Sequence, residues 1–290
     1  MLLKNGSKGE QVKLLQEFLE IDADGIFGPG TEKAVKSWQF ANNLDADGIV
    51  GPKTWDAMGI ATTDISEKST SGLIIDQHML PRGEYKAGPT RKEYIFLHHT
   101  AGWHNPYNTI DAWARDNRGA VATEFVLGGP SVKGNDDKYD GVLVQCMPEG
   151  AYGWHLGANG SQHMHTHSVA IEVCNFGSIK NGKTYAGVAA AESQIVKLPQ
   201  PFRGAQYWHR YSDKQIEVLR DWILYVAERD GIDPRKGLVE EIKKHGAKGF
   251  EFNEDAYYGR VKGLWTHTNT RKDKVDMFPQ PELIDMLLSL

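Results

Sequence analysis

A ten-residue motif occurs twice near the N-terminus, and no other feature narrows the fold of this chain so far. Asp22-Ala23-Asp24-Gly25-Ile26-Phe27-Gly28-Pro29-Gly30-Thr31 returns as Asp45-Ala46-Asp47-Gly48-Ile49-Val50-Gly51-Pro52-Lys53-Thr54. Each copy reads as a polar Asp-Gly turn, an apolar pair expected to be buried, and a Gly-Pro opening a helix with proline in its first turn. Val12, Leu15, Phe18 and Leu19 share one helical face before the first copy. Ala34, Val35, Trp38 and Ala41 do so between the copies, and Trp55 and Met58 belong to a third short helix. Three short helices joined by two like turns make a module of about 60 residues. Asp-Ala-Asp-Gly also invites a calcium reading, but a calcium loop wants glycine sixth and glutamate twelfth. Here glycine stands fourth and no glutamate stands twelfth, so a tight turn is expected.

At 290 residues the chain has room for a second, larger domain. Gly59 to Gly72 is aperiodic and rich in hydroxyls, as a flexible linker is. The expected division is a helical domain over 1–59, a linker over 60–72 and a second domain over 73–290. Thirty-three basic against 38 acidic side chains give a net charge of −5, which argues against a nucleic-acid partner. No apolar run approaches the roughly 18 residues of a spanning helix, so no membrane insertion is expected. The first ten residues lack the apolar core of a signal peptide, which implies synthesis in a cytoplasm. Cys146 and Cys174 are too few for a disulfide framework or a four-thiolate zinc site. Chemistry is therefore sought among the 11 histidines.

Tyr94-Ile95-Phe96-Leu97-His98-His99 is an apolar run ending in a histidine pair, as in a buried central strand. Ala122 to Leu127, Val142 to Met147 and Val169 to Cys174 read as further strands. Asn108 to Asn117 reads as a helix with Ile110, Trp113 and Ala114 inward. Ser212-Asp213-Lys214-Gln215 is a capping box opening a helix that stops near Gly231, and Pro281 opens a last helix. The interspersed elements give an α/β domain, a mixed central sheet with flanking helices, beside the small all-α three-helix domain.

A catalytic zinc commonly takes three protein ligands and leaves one position open. The HExxH helix is absent, so a site must be assembled from distant segments. Candidates are His98-His99, the cluster His163, His165 and His167 (one strand face or a polar loop), and His267. Singly, each is weak.

Two families are met in these residues. Residues 4–58, with the leading Gly6 to Gln16 motif and both Asp-Gly turns, resemble the three-helix peptidoglycan-binding domain of cell-wall hydrolases, which implies wall anchoring. Residues 94–175 and 264–278 resemble the N-acetylmuramoyl-L-alanine amidases related to amidase-type phage lysozymes and peptidoglycan-recognition proteins. The matching segments are Phe96-Leu97-His98-His99-Thr100, Gly153-Trp154-His155-Leu156-Gly157, Ser168-Val169-Ala170-Ile171-Glu172, and His267 followed by Lys274-Val275-Asp276.

The resemblance implies zinc held by His98, His267 and Asp276, with His99 on the opposite strand face. It implies a zinc-activated water attacking the amide between the lactyl group of N-acetylmuramic acid and L-alanine. Glu172 would be general base and Lys274 would stabilise the oxyanion. Trp154, His155, Thr100 and Glu124 are the expected substrate contacts. For His155 a sheet-packed role stands beside this, and for Glu124 a salt bridge. Cys174 is read as a small buried hydrophobe. The strand Ala120 to Phe125 lacks the tyrosine that some relatives carry, which leaves the base role to Glu172. Segments 177–211 and 233–263 exceed the family minimum, and their residues either border the groove or pack.

A non-catalytic peptidoglycan binder and another wall hydrolase, a zinc peptidase or a glycosidase, are the alternatives. A glycosidase would leave His98, His267 and Asp276 unexplained. An anchor beside an amidase fits a phage endolysin, made without its own export signal and acting on the wall after release. Bacterial peptidoglycan is the expected partner, and a monomer is expected.

Overall fold

The computed structural model describes residues 3–7, 9–42, 44–58, 73–88, 90–157 and 161–290, and the linker expected over 60–72 lies outside them. Contacts divide the chain into two compact units, residues 1–66 and 67–290. Among the described residues no helix is long and apolar enough to cross a membrane.

The first unit holds α1 (Glu10–Phe18), α2 (Pro29–Ala41) and α3 (Pro52–Ala57) around Val12, Leu15, Phe27, Val35, Val50 and Trp55. Two buried glutamines explain its repeat. The Gln16 amide oxygen accepts from Gly25 N at 2.8 Å. Its NH₂ reaches Asp24 Oδ1 at 2.8 Å, the Ile26 carbonyl at 3.1 Å and Thr31 Oγ1 at 3.0 Å. Gln39 repeats this on Gly48 N (2.9 Å), Asp47 Oδ1 (3.0 Å), the Ile49 carbonyl (2.9 Å) and Thr54 Oγ1 (3.2 Å). The same aspartate oxygens also accept from Ile26 N and Ile49 N, so both carboxylates are committed to their turns.

The expected inner face of α2 is corrected here. Ala41 is exposed, and polar Gln39 is buried in its stead. Each apolar pair also splits: Phe27 and Val50 are buried, whereas Ile26 is 47% exposed. Extended backbone sends successive side chains to opposite sides.

In chain order the second unit runs β1 (Asp76–Gln77), β2 (Tyr94–His99), α4 (Pro106–Trp113), β3 (Phe125–Leu127), β4 (Leu143–Gln145), α5 (Gln162–Thr166) and β5 (Ser168–Val173). It continues β6 (Ile195–Phe202), β7 (Ala205–His209), α6 (Asp213–Asp230), α7 (Leu238–His245), α8 (Glu254–Tyr257), β8 (Gly263–Thr266), α9 (His267–Thr270) and α10 (Pro281–Leu288). Six strands form one sheet in the order β1-β4-β3-β5-β2-β8, and β6 and β7 form a separate hairpin. Only β3 and β4 run antiparallel within the large sheet. Its parallel centre is buried, as a sheet covered on both faces must be. One cover is α6, which packs against β2 and meets Phe125 through Trp222, ring centroids 5.6 Å apart. The other is α4, whose Ile110 joins Val126, Val144, Cys146 and Cys174 in a second cluster.

Local chemistry sets the element ends. The Ser212 hydroxyl accepts from Gln215 N at 2.9 Å while the Gln215 amide oxygen accepts from Ser212 N at 3.1 Å, and Gly231 closes α6 at φ 68°. α4 starts two residues earlier than expected because Asn105 caps it and Pro106 takes its first position. β3 and β4 are shorter than their apolar runs.

The glutamine clamp gives a stability prediction. Gln39→Leu leaves the Gly48 N–H and its acceptors without their partner, so the first unit should lose about 2–3 kcal/mol. Thermal unfolding of the full chain measures this, and a loss below about 0.5 kcal/mol would show that the clamp contributes little.

Candidate metal centre

The parallel register builds the site. Across β2 and β5 the paired residues run Phe96 with Ala170, Leu97 with Ile171, and His98 with Glu172, so His98 and Glu172 stand side by side on one face. Across β2 and β8, Leu97 pairs with Thr266, which brings the next residue, His267, to the same sheet end. The chain then makes the short helix α9 and returns, with Thr268 N donating to the Asp276 carbonyl at 3.2 Å.

Nδ1 of His98 lies 3.1 Å from Nδ1 of His267 and 3.3 Å from Oδ2 of Asp276, and the last two atoms are 3.1 Å apart. These three residues are the one buried group of metal-ligand type among the described residues. A tetrahedral zinc with bonds of about 2.0–2.1 Å holds its donors about 3.3 Å apart, so the spacing suits such an ion. The charge states suit it as well. Burial pushes the His98 imidazole down to about 4, towards the neutral form that ligates. Burial alone would raise the Asp276 carboxyl, yet His267 and His98 hold it well below the usual carboxylate range.

His155 supports the cluster from behind. Its Nδ1 lies 2.9 Å from Nε2 of His98, and its Nε2 lies 2.6 Å from the Ser168 hydroxyl. Its ring packs against Phe96 with centroids 5.5 Å apart. An outer nitrogen held in this way fixes both tautomer and ring orientation, as the shell around a metal site does. The His-Ser link was invisible in the sequence because 13 residues separate its ends.

A cleft of about 470 Å³ opens beside the cluster, lined by Thr100, His155, Glu172, His267, Lys274 and Asp276 among others. Glu172 Oε2 is buried without a hydrogen-bond partner, and burial followed by the Asp276 charge raises its carboxyl well above the ordinary value, against Lys274 and Arg118. Arg118, on the loop after α4, also lines the cleft, and sequence reasoning missed it for want of any periodicity there. His99 reaches the cleft wall too, but its Nδ1 is held at 2.9 Å by the Tyr211 hydroxyl.

Two expected substrate contacts lie outside the cleft lining. Glu124 is buried in an ion pair with Arg229, at 2.8 and 3.3 Å, and is not part of the cleft lining. Trp154 is not part of it either. Its backbone N–H donates to the Ala120 carbonyl at 2.7 Å, and its ring stands edge-on to His165. Glycine at 153 permits this close approach, since a Cβ there would meet the Ala122 carbonyl oxygen at 2.3 Å. The His163, His165 and His167 cluster lies on and just after α5. His163 stacks on His167 and pairs with Glu93, and His165 Nε2 lies 3.1 Å from the Gly157 carbonyl. Trp208 and Tyr211 pack by stacking on Phe278, at 4.6 and 4.5 Å. Cys174 is fully buried, and burial pushes its thiol up to about 12.

Comparison with known proteins follows these lines. Residues 88–268 match the family model described as N-acetylmuramoyl-L-alanine amidase, and residues 8–58 match one described as a putative peptidoglycan binding domain. No curated protein matches. Among solved structures, the Burkholderia AP3 phage endolysin is 40% identical over 20% of this chain and 24% of its own, with a TM-score of 0.20. PlyL is 13% identical over 69% of this chain and 85% of its own, at 0.39. The AmiD amidase of E. coli, complexed with an anhydro-muramoyl tripeptide, is 20% identical over 51% and 48%, at 0.31. The chain spans only 24–40% of the length of the first three solved proteins it matches.

Two substitutions test this geometry. Arg229→Met strands the buried Glu124 carboxylate and should cost about 3–5 kcal/mol in chemical denaturation, most of it regained with Glu124→Gln added. His155→Ala should weaken zinc binding about 10–100-fold by competition with a chelating dye while the fold persists by circular dichroism. Unchanged affinity would strip His155 of its orienting role.

Proposed function

The chain belongs to the N-acetylmuramoyl-L-alanine amidase family, and on that premise we propose that it hydrolyses the amide joining N-acetylmuramic acid to L-alanine in bacterial peptidoglycan. The observation that carries the reading is the convergence of His98, His267 and Asp276 on one point beside Glu172, at the floor of an open cleft. His98, His267 and Asp276 would hold a zinc ion. When bound, that ion supplies Lewis acidity, polarising the scissile carbonyl and acidifying a water.

The remaining chemistry belongs to side chains. Glu172, unpartnered at Oε2, takes the proton of the attacking water and delivers it to the departing L-alanine nitrogen. Glu172 takes this role without Glu124, which lies outside the cleft lining and is engaged by Arg229. Lys274, on the cleft wall, brings an ammonium to the oxygen that gains charge as the carbonyl becomes tetrahedral. His155 keeps His98 in its tautomer through the bond to Ser168. Thr100 lines the cleft at the end of β2, as a substrate contact would.

The first unit, matching a peptidoglycan-binding model, would anchor the enzyme on insoluble wall. An anchor has no use on soluble fragments, which favours a phage endolysin lysing its host over an enzyme of fragment recycling.

Purified peptidoglycan should release L-alanine amino termini and no new reducing ends, and a chelator should abolish the release. Chelator-resistant reducing ends would overturn the amidase reading, and polymer bound but never cut would make the chain a binder. Glu172→Gln should retain zinc and lose at least about 100-fold in kcat, the scale of general-base catalysis.

A further inference from the structure

The segment between β5 and α6 carries a second concavity that the reaction above does not use. Two adjoining grooves of about 890 and 600 Å³ share Ser178, Lys180 and Asn181. Both exceed the catalytic cleft of about 470 Å³. Their walls present Lys180, Lys183, Lys197 and Arg203 against the single carboxylate of Glu192. Arg203 is taken up by Glu251 at 3.0 Å and by the carbonyls of Thr268 and Lys272. Among the described residues, none of the three lysines has an ion-pair partner, in a chain whose net charge is −5. Lys197 lies over the Tyr207 ring at 5.8 Å, and that ring is 46% exposed.

The groove is also tied to the catalytic cleft. The Tyr185 hydroxyl, from the groove wall, donates to the carbonyl of Ala101, which lines the cleft, at 2.7 Å. Tyr185 is 74% exposed, so its ring stands on the rim that separates the two. Arg203 holds the same turn that carries His267 and Asp276.

We propose that this groove is an accessory subsite that takes the free carboxylates of neighbouring, uncut stem peptides while one stem is cleaved. This deepens the amidase reading and rests on it for the identity of the polymer. The charge complementarity is direct. A stem peptide with γ-linked glutamate leaves an α-carboxylate free on every repeat, and three unpaired ammonium groups beside exposed tyrosine rings suit a polymer of sugars and acids.

The test compares a soluble glycan of several disaccharide–stem units with a single-stem muramoyl tripeptide, on the full chain. Lys180→Glu/Lys197→Glu should raise KM for the multi-stem glycan about fivefold, as loss of two exposed charge contacts does, and leave kcat and KM on the single stem alone. The gap should close at about 1 M salt, where screening is nearly complete. Equal effects on both substrates, or none on either, would overturn the subsite. So would competition by poly(glycerol phosphate) and not by a γ-glutamyl peptide, which would assign the groove to a phosphodiester polymer. Calorimetric binding of the multi-stem glycan to wild type and double variant, both carrying Glu172→Gln, should show the same fivefold weakening without any cleavage. A failed amidase reading and a failed subsite are thereby told apart.

Discussion

His98 and Glu172 stand together because β2 and β5 pair in one parallel register, and a slip of a single residue would turn one of them to the opposite face. The same strand sets the position of His267 through its pairing with β8. Asp276 is then brought back by a backbone bond to Thr268, nine residues after His267 in the chain. Three carboxyl ends of adjacent parallel strands thus supply the site, where open α/β sheets commonly bind their ligands.

The second unit buries charge in two different ways. Around Glu124 the charges cancel: Arg229 meets both the Glu124 and Asp230 carboxylates, Lys92 adds the second positive charge, and Gln145 adds a donor at 3.1 Å. At the sheet end they do not. Three donor atoms point inward at one another, and Glu172 Oε2 faces no partner. A fold that satisfies one buried carboxylate so fully leaves the other with an oxygen that no protein donor meets, a cost that protonation, a water or a bound cation would relieve. The two glutamates looked alike in sequence, each in an apolar strand, and their partners separate them.

Much of this was legible beforehand, for reasons that can be named. The α6 helix announced both ends because its capping box and closing glycine are local chemistry. The Tyr94–His99 strand was clear because its apolar run admits no other use. Asn269 and the hairpin β6–β7 gave no such signal. Asn269 fixes the turn after β8 by donating to the Gly249 and Glu251 carbonyls, and the hairpin interleaves Lys197, Pro199, Gln200 and Pro201 with its apolar residues. The buried glutamines of the first unit were hidden for a related reason: apolar periodicity scores a buried amide as surface. The candidate ligands were named from motif resemblance, and long-range contact alone could not have paired residues 98, 267 and 276.

The hairpin bears on how such a chain could change. Arg203 grips the turn that holds two of the three converging side chains, and Trp208 and Tyr211 clasp Phe278 just beyond Asp276. What reads in the sequence as surplus length is therefore a splint for the last donor. Such a splint cannot be swapped between homologues as a detachable cassette, nor trimmed to shorten the gene, unless the 267–278 turn is exchanged with it. Recombination would be expected to inherit the two as one block.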